Sequence, residues 1–324
     1  MTEKNVVTAI RDALHDEIAE DERIVLLGED VGARGGVFRI SDGWMKEFGE
    51  HRIIDTPLAE SGIVGTAIGL ALRGYRPVVE IQFDGFVFPA YDQIVTQLAK
   101  MHARSLGKVK LPVVVRIPYG GGIGAVEHHS ESPEALFAHV AGLKVVSPGN
   151  ASDAYWMMQQ AIQSDDPVIF FEPKRRYWEK AELDLDATPP PLHSAQVVRP
   201  GSTLTLVGYG PVLKTCLEAA TAAAEDGNDL EVIDLRTLSP LDLGPVAASV
   251  RRTGRLVVVA EAPSETSVAS EVAARVQEEC FHSLEAPVLR VTGFDTPYPP
   301  SKCEDDYLPD LDRVLDAVDR SLAW

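Results

Sequence analysis

Short apolar runs alternate with amphipathic helical segments along most of the chain, and this alternation restricts the fold more than any other feature. The first helical segment places Val6, Ile10, Leu14 and Ile18 four residues apart, so that they share one face of a helix. The apolar runs predict strands at residues 24–28, 77–82, 111–117, 168–171, 204–207, 230–233, 255–259 and 288–291. Strands that alternate with helices favour mainly parallel sheets covered on both faces, so we expect an α/β fold with two doubly wound domains.

A proline-rich segment divides the alternating pattern into two series. From residue 178 to residue 193 the chain changes character, and Pro189, Pro190 and Pro191 follow one another within that segment. Consecutive prolines lack backbone N–H donors and cannot continue a helix or a central strand. The chain of 324 residues is also long for a single core. We therefore expect a first domain at 1–177, a linker without regular structure at 178–195 and a second domain at 196–324.

The composition limits the partners that such a protein can have. The formal net charge of -19 repels phosphate backbones and attracts basic proteins, so we expect a protein partner and no nucleic acid, although acidic surfaces also serve solubility. The sequence has no apolar run long enough to cross a bilayer, and Met-Thr-Glu-Lys-Asn at its start is not a secretory signal. With only three, widely spaced cysteines, the sequence predicts a cytoplasmic protein without membrane association.

One acidic residue stands at the start of an apolar, glycine-rich helical pattern. Glu60 is the only charged residue between positions 55 and 73, and Gly62, Gly65 and Gly69 follow it at helical spacing. This spacing places the glycines on one helix face, where another helix or a flat ligand can approach the backbone closely. Two interpretations of Glu60 remain open: an acid stabilised by the helix N-terminus, or a carboxyl at a buried interface whose raised pKa allows proton exchange.

A pair of histidines behind a glycine-rich loop forms a second candidate. Residues 119–124 read Tyr-Gly-Gly-Gly-Ile-Gly, which predicts a flexible loop, and His128 and His129 follow it. Neighbouring side chains diverge, and no second histidine at metal-ligand spacing accompanies the pair, so we expect no metal site in this chain. A single histidine that titrates or forms hydrogen bonds is the better interpretation.

Several sequence blocks, in a fixed order along the chain, together resemble one protein family. The blocks are Leu27-Gly-Glu-Asp30, Asp55-Thr-Pro-Leu-Ala-Glu60, Asp92-Gln93, Gly142-Leu-Lys-Val-Val-Ser-Pro148 and Val232-Ile-Asp-Leu-Arg-Thr237. They resemble the β subunits of thiamine-diphosphate-dependent 2-oxo acid dehydrogenases, the decarboxylating first components of multienzyme complexes. The resemblance implies a transketolase-like pyrimidine-binding domain followed by a transketolase C-terminal-like domain.

Four further blocks are similar to the branched-chain type of this family. They are His129-Ser-Glu-Ser-Pro-Glu-Ala135, Phe170-Phe-Glu-Pro-Lys174, Val276-Gln-Glu-Glu-Cys-Phe281 and Leu284-Glu-Ala-Pro287. The resemblance implies decarboxylation of a branched-chain 2-oxo acid such as 3-methyl-2-oxobutanoate, followed by transfer of the acyl group to a lipoyl group. A pyruvate-type or acetoin-type β subunit is the alternative within the same chemistry. A non-catalytic scaffold subunit is the alternative from another class.

The resemblance also assigns roles to individual residues. Glu60 matches the glutamate that contacts N1′ of the cofactor's aminopyrimidine, where a carboxyl favours the tautomer needed for proton transfer. Gln82 and Phe86 match positions that line the pyrimidine, and Leu58 lies beside the same ring. Branched-chain relatives often carry tyrosine where this chain has Phe86, so the stacking is expected without the hydroxyl contact. His129 matches the active-site histidine that transfers a proton as the acyl group passes to the lipoyl group.

The sequence carries only part of the family's cofactor site. The family normally anchors the diphosphate through Mg²⁺ with a motif that starts at Gly-Asp-Gly and ends at Asn-Asn, and this sequence contains no such pair. The resemblance therefore implies that an α subunit supplies Mg²⁺ and the diphosphate half of the site, in an α2β2 heterotetramer. Without the motif, a self-sufficient transketolase-like synthase is disfavoured. A structural K⁺, which some relatives hold, stays open.

A lipoyl-bearing acyltransferase is the other partner that the resemblance implies. In relatives the second domain docks the small, basic subunit-binding domain of the acyltransferase. The acidic residues Glu304, Asp305 and Asp306 fit such a partner by charge, and they fit a solvated acidic loop equally well.

Overall fold

A computed structural model describes residues 2–324 of the chain, and Met1, which the predicted first domain includes, lies outside them. Over these residues the chain forms the strands β1 (Thr2–Asn5), β2 (Ile24–Gly28), β3 (Ile53–Asp55), β4 (Arg76–Glu80), β5 (Val114–Tyr119), β6 (Lys144–Val146), β7 (Val168–Pro173), β8 (Lys180–Leu183), β9 (Gln196–Arg199), β10 (Leu204–Gly208), β11 (Leu230–Asp234), β12 (Thr237–Ser239), β13 (Leu256–Pro263) and β14 (Leu289–Gly293). Each strand predicted from the sequence is present, although most bounds differ by a few residues.

The α-helices cover one or both faces of the sheets. They are α1 (Val6–Glu20), α2 (Trp44–Phe48), α3 (Glu60–Leu72), α4 (Met101–Arg104), α5 (Glu134–Ala138), α6 (Ala151–Gln163), α7 (Leu213–Glu225), α8 (Gly244–Thr253), α9 (Val268–Cys280), α10 (Glu304–Tyr307) and α11 (Leu311–Leu322). Helix α1 begins behind Asn5, whose side chain accepts the Thr8 N–H at 2.8 Å, and Asn150 caps α6 through the Asp153 N–H at 2.9 Å. An asparagine at this position satisfies an N–H group that the helix cannot pair internally.

Within the described residues, the larger sheet has seven strands in the order β12-β6-β7-β5-β4-β2-β3. All neighbouring pairs are parallel except β12 with β6. Both β5 and β7 are buried along their whole length, as expected for central parallel strands covered by helices on both faces. The carboxyl ends of the parallel strands meet at one edge of the sheet, which is where open α/β sheets bind ligands.

The second sheet has the order β14-β13-β10-β11-β9, with β9 antiparallel to β11 and the other pairs parallel. Strand β12 follows β11 in the chain but joins the first sheet, where Thr237 pairs with Val146. One apolar core also runs between the sheets and includes Leu27 and Ile117 of the first and Ile233 and Val258 of the second. The prediction of a two-domain α/β fold with mainly parallel sheets is therefore confirmed, and the domains share a packed boundary.

One local prediction is wrong. The expected linker was to lack regular structure, but β8 lies inside it and pairs antiparallel with β1, because the prolines at 189–191 come only after this strand.

The segment after Phe83 is helical but irregular. Asp84–Ala90 is a 3₁₀ helix that contains Pro89, and Gln93–Leu98 is a π-helix. A proline inside a helix removes one backbone donor, which accounts for the irregular first part.

None of the helices in residues 2–324 combines the length and the apolar character that a membrane crossing requires.

Candidate functional site

Glu60 lies at the edge of the first sheet where the carboxyl ends of the parallel strands meet. It is the first residue of α3, which begins shortly after β3 ends, and its side chain is half-buried. The Asp55 carboxylate fixes the approach to this helix, because it accepts the N–H groups of Gly32 at 2.5 Å and of Ala33 at 2.9 Å. Leu58 stands between the two, with 70% of its surface exposed. The segment that carries Glu60 is thus fixed at Asp55 by hydrogen bonds, and the apolar side chain of Leu58 is exposed on its surface.

A second carboxyl, Glu29, lies close to Glu60. Burial raises the pKa of Glu29, and the charges of Asp30 and Glu60 raise it further. The half-buried Gln82 donates its Nε2 hydrogen to the Glu29 carbonyl oxygen at 3.4 Å. Glu60 and Gln82 are predicted site residues, whereas Glu29 was not identified as one, although it directly follows the buried strand β2. These three polar residues therefore gather at one edge of the sheet.

Aromatic rings form the neighbouring part of the site. Phe83 stacks on His129, with ring centroids 4.1 Å apart and 23° between the planes. Phe86 meets the edge of the same imidazole at 5.1 Å. The Nδ1 atom of His129 is buried and has no hydrogen-bond partner among the described residues. The predicted residues Phe86 and His129 are thus brought together, and the half-buried imidazole has one nitrogen that the chain itself leaves unpaired.

A buried ion pair lies beneath these rings and was not identified from the sequence. Asp84 and Lys174 are both buried, and the carboxylate oxygen Oδ1 lies 2.6 Å from Nζ. Burial raises the pKa of Asp84, and the Lys174 charge opposes that shift. The other Asp84 oxygen accepts the Glu131 N–H at 2.9 Å, and Lys174 Nζ lies 5.6 Å from the Phe83 ring centre. The pair connects the segment of Phe83 with the segment of His129.

Charged residues also fill the interior of the first sheet. The buried Arg116 lies 2.7 Å from Glu80 on β4 and 2.7 Å from Glu172 on β7. The Tyr177 hydroxyl donates to Glu172 at 2.6 Å. Burial raises the pKa of Glu80, against the Arg116 charge. Buried charges are costly unless they are paired and hydrogen-bonded, and here each one has a partner.

One expectation about the acidic residues near the chain end needs correction. Both interpretations of the run 304–306, a docking surface for a basic partner and a solvated acidic loop, require Glu304 to be exposed, but the structure buries it at 5% exposure. Its two carboxylate oxygens accept the N–H groups of Gly122 at 2.8 Å and of Gly124 at 2.9 Å. Asp305 and Asp306 are exposed. The flexibility of the glycine-rich loop stays a prediction, but its backbone is not without tertiary contacts, because carboxylates of the second domain accept three of its N–H groups.

A cleft of about 950 Å³ opens between the two domains, and Ser130 and Glu131, which follow His129, line part of it. Its walls include Tyr91 and His139 of the first domain and Glu261 and Tyr298 of the second. Among the described residues that line it, none is Leu58, Glu60, Gln82 or Phe86. The predicted cofactor residues therefore lie outside this cleft. Leu58 is exposed and Glu60, Gln82 and Phe86 are half-buried, and we call the surface that they form the open face.

The arrangement on the open face combines three kinds of group. Glu60 and Glu29 supply carboxyls, Gln82 supplies an amide, and Phe86 supplies an aromatic ring next to the His129 imidazole. Helix α3 packs against the 3₁₀ helix that carries Phe86, so the carboxyl and the ring lie on adjoining elements. Such a set can bind a flat, heteroaromatic ligand and exchange a proton with it.

Known families match this chain in both domains. The family described as "Transketolase, pyrimidine binding domain" matches residues 2–179, and the family described as "Transketolase, C-terminal domain" matches residues 193–314. A solved structure named "Split gene transketolase, inactive beta4 tetramer" has a TM-score of 0.82 to this chain, is 23% identical and covers 98% of both chains. At that identity, the likeness shows the fold alone.

Curated relatives match over nearly the whole chain. A pyruvate dehydrogenase E1 component subunit beta from Leifsonia xyli subsp. xyli is 61% identical and covers 98% of this chain and 95% of its own length. A 3-methyl-2-oxobutanoate dehydrogenase subunit beta from Mycobacterium tuberculosis is 53% identical over 98% of this chain and 91% of its own length. A 2-oxoisovalerate dehydrogenase subunit beta from Pseudomonas aeruginosa is 43% identical over 99% and 95%. Their names agree on the class of subunit and differ in the 2-oxo acid.

Proposed function

The chain belongs to the β subunits of the first, E1, component of 2-oxo acid dehydrogenases, and on that premise we propose that it works with an α subunit to decarboxylate branched-chain 2-oxo acids. The observation that carries the proposal is the position of Glu60. Glu60 is a half-buried carboxyl at the start of α3, and its charge acts on Glu29, whose carbonyl oxygen accepts from the Gln82 amide. Since α3 also packs against the 3₁₀ helix that carries Phe86, this region suits proton exchange with a bound heterocycle.

Thiamine diphosphate is the cofactor that we assign to this face. The fit rests on two features of the described residues: the buried Thr56 Oγ1 and His129 Nδ1 atoms have no hydrogen-bond partner, and Leu58 leaves an apolar surface open beside Glu60. When bound, the cofactor supplies the electron sink for decarboxylation. Glu60 would hold a proton at N1′ of the pyrimidine, Phe86 would stack on the ring, and Leu58 and Gln82 would flank it.

In this proposal, His129 acts in the second half of the reaction, the transfer of the acyl group to the lipoyl group. Its ring is held between Phe83 and Phe86, so its orientation is fixed by packing before any substrate arrives. An imidazole in this position can give a proton to a lipoyl sulfur as the acyl group is transferred. Its role is separate from that of Glu60, which acts on the cofactor.

We propose two partners for the chain. An α subunit would supply Mg²⁺ and the diphosphate half of the site, in an α2β2 heterotetramer, because the sequence lacks the Gly-Asp-Gly and Asn-Asn motif. A lipoyl-bearing acyltransferase would dock on the second domain, where the exposed Asp305 and Asp306 and the overall charge of -19 favour a basic surface.

Pyruvate is the second candidate substrate, and one observation favours it. The 61% identical relative is named as a pyruvate dehydrogenase subunit, whereas the 53% identical relative is named for 3-methyl-2-oxobutanoate. The four sequence blocks of the branched-chain type support our choice. The scaffold alternative stays a separate hypothesis, and it predicts that Glu60→Ala leaves the activity of the complex intact.

Turnover by the reconstituted αβ pair decides between the substrates. Purified α and β subunits, with thiamine diphosphate and Mg²⁺, are assayed with each 2-oxo acid by reduction of an artificial electron acceptor. We expect a higher kcat/KM with 3-methyl-2-oxobutanoate than with pyruvate. A higher kcat/KM with pyruvate would assign the chain to the pyruvate type, and absence of turnover with both acids would contradict the proposed activity.

A further inference from the structure

His129 lies in a loop that is closed at its neck. The loop covers residues 120–131 and follows β5, and at its neck the Gly120 N–H donates to the Glu131 carbonyl oxygen at 2.9 Å. We call this segment the His129 loop. Its second half lies against the first domain, where Asp84 accepts the Glu131 N–H and Gly85 is in close contact with the His128 backbone.

The first half of the His129 loop is held by the second domain. The Gly121 N–H donates to Glu261 Oε1 at 2.5 Å, and Glu304 accepts the N–H groups of Gly122 and Gly124 through its two oxygens. Both carboxylates are almost fully buried, with 2% and 5% of their surfaces exposed. Hydrogen bonds from N–H groups to a buried carboxylate are stronger than those between neutral groups. Two side chains of the second domain thus set the backbone path of this loop.

The contacts of Glu304 and Glu261 are themselves fixed. The Tyr298 hydroxyl donates to Glu304 Oε1 at 2.6 Å, and Arg175 of the first domain lies 3.1 Å from Glu261 Oε2. Neither carboxylate can rotate away from the loop without leaving a buried partner unpaired, which is costly. These contacts therefore fix the positions of both carboxylates, and with them the backbone of the first half of the His129 loop.

The sequence of the loop fits this close support. A Cβ atom at Gly120 would lie 2.7 Å from Glu261 Oε1, and one at Gly121 would overlap the Tyr298 hydroxyl. Gly120 and Gly122 also have φ angles of +81° and +82°, which side-chain-bearing residues rarely adopt. Glycine is required here because the second domain approaches the loop backbone.

We propose that Glu304 is a positioning residue for His129, and that it acts by holding the first half of the His129 loop so that the imidazole keeps its place between Phe83 and Phe86. This inference rests on the proposed role of His129 in acyl transfer to the lipoyl group. It gives the second domain, whose residues are absent from the cofactor face described above, a direct part in the second half of the reaction. Glu304 does not touch the substrate in this account.

The test separates the two halves of the reaction in the assembled αβ enzyme. Decarboxylation is followed with an artificial electron acceptor, and reductive acylation is followed with the isolated lipoyl domain of the acyltransferase, which does not depend on docking. We expect Glu304→Ala to lower kcat of reductive acylation by roughly ten- to a hundredfold, as misplacement of a reacting group does, and to leave decarboxylation within about twofold. Glu304→Gln keeps one acceptor oxygen and should recover part of the loss. The matched control is Glu278→Ala, an exposed glutamate on α9, which should change neither rate.

A double-mutant cycle with His129→Ala identifies the route of the effect. If Glu304 acts through His129, then Glu304→Ala should change reductive acylation by less than about twofold in the His129→Ala background. Equal loss of both half-reactions, no loss in acylation, or full additivity with His129→Ala would overturn the inference. If Glu304→Ala does not fold, Glu304→Gln carries the same comparison.

The same cycle distinguishes this inference from the function on which it rests. If His129→Ala lowers acylation and Glu304→Ala does not, only the positioning role is wrong. If His129→Ala itself leaves acylation unchanged, the proposed role of His129 is wrong, and the inference is overturned with it.

Discussion

Two groups of glycines in this chain have opposite surroundings. On α3, a Cβ atom at Gly62 or Gly65 would meet nothing closer than 3.7 Å, and one at Gly69 would meet nothing within 4 Å. In the His129 loop, a Cβ atom at Gly120 or Gly121 would collide with side chains of the second domain. The chain's own fold requires the glycines of the loop and does not require those of the helix.

The glycines of the His129 loop lie in a region whose contacts come from this chain. The glycines of α3 lie on a face that the rest of this chain leaves largely uncovered. We use inter-domain seam for Glu134, Tyr209, Glu261, Tyr298 and Glu304. Hydrogen bonds within the chain link these residues, such as that from Tyr209 to Glu134 at 2.7 Å, although Glu134 Oε2 and Glu261 Oε2 have no hydrogen-bond partner among the described residues. The face of α3 and Glu60 has an exposed leucine, half-buried polar groups and a helix side without steric neighbours. Glycine inside an exposed helix costs about 1 kcal/mol relative to alanine, so its use on α3 indicates a contact outside this chain.

Substitution of Glu60 should give the largest effect and should act on the open face alone. Because proton exchange at the cofactor is lost, we expect Glu60→Ala to lower decarboxylation by roughly a hundredfold to ten-thousandfold. Assembly with the α subunit, measured by analytical ultracentrifugation, should be retained. Glu60→Gln should be almost as inactive, because it keeps the shape but cannot exchange the proton. Full activity in either variant would support the scaffold hypothesis.

The stability of the seam should depend on pH through Glu134. Burial raises the pKa of Glu134 to about 7 from about 4.5, and its Oε2 atom has no hydrogen-bond partner in the described chain. The folded protein therefore binds a proton more tightly than the unfolded chain, so stability should fall as pH rises from about 4.5 to 7 and then level off. At about 1.4 kcal/mol per pKa unit, the contribution is on the order of 3 kcal/mol.

Urea unfolding at several pH values across that window measures this contribution. Glu134→Gln mimics the protonated carboxyl, so its free energy of unfolding should depend less on pH than that of the wild type. Identical pH slopes for the two proteins would show that Glu134 is not protonated in the folded state.

A methyl group in the seam should be destabilising. Gly121→Ala places a Cβ atom against the Tyr298 hydroxyl, which is itself fixed by Glu304, so the free energy of unfolding should fall by about 1–3 kcal/mol. Chemical denaturation of the purified chain measures the change. An unchanged stability would mean that the seam can relax and that the loop is not tightly held.

An added methyl group on α3 should have the smallest effect. It should stabilise the isolated chain and weaken the complex with the α subunit. Gly69→Ala meets no neighbour and removes a helix-interior glycine, so the isolated chain should gain about 0.5–1 kcal/mol. Affinity for the α subunit, measured by titration, should fall because a backbone contact is blocked. If affinity is unchanged, the glycine face is not the contact with the α subunit.

Local periodicity was sufficient to predict the succession of helices and strands along the chain. Family motifs pointed to Leu58, Glu60, Gln82 and Phe86, whose role at the cofactor stays a prediction, and they did not point to Glu29 as a site residue.

The buried charges were missed, although a signal was present. Glu80, Arg116 and Glu172 each stand alone in an apolar run near the end of a predicted strand, and parallel strands bring such ends together. Their pairing depends on the order of the strands in the sheet, which the sequence pattern does not specify.

The contacts of the His129 loop, unlike the buried charges, leave no signal in the local sequence. A run of glycines predicts freedom when only the local chain is considered, yet Glu261 and Glu304, more than 130 positions away, hold this loop. The support comes from tertiary contacts, so no local pattern could reveal it. The acidic run 304–306 was misread for the same reason, since its first member points into the seam.

Calorimetric titration of thiamine diphosphate, with Mg²⁺, tests the central claim most directly. The claim is that the open face is half of a cofactor site and that the α subunit completes it. We predict saturable binding when the α subunit is present, with one site per β chain, and none when this chain is titrated alone. Equal binding by the chain alone would contradict the account.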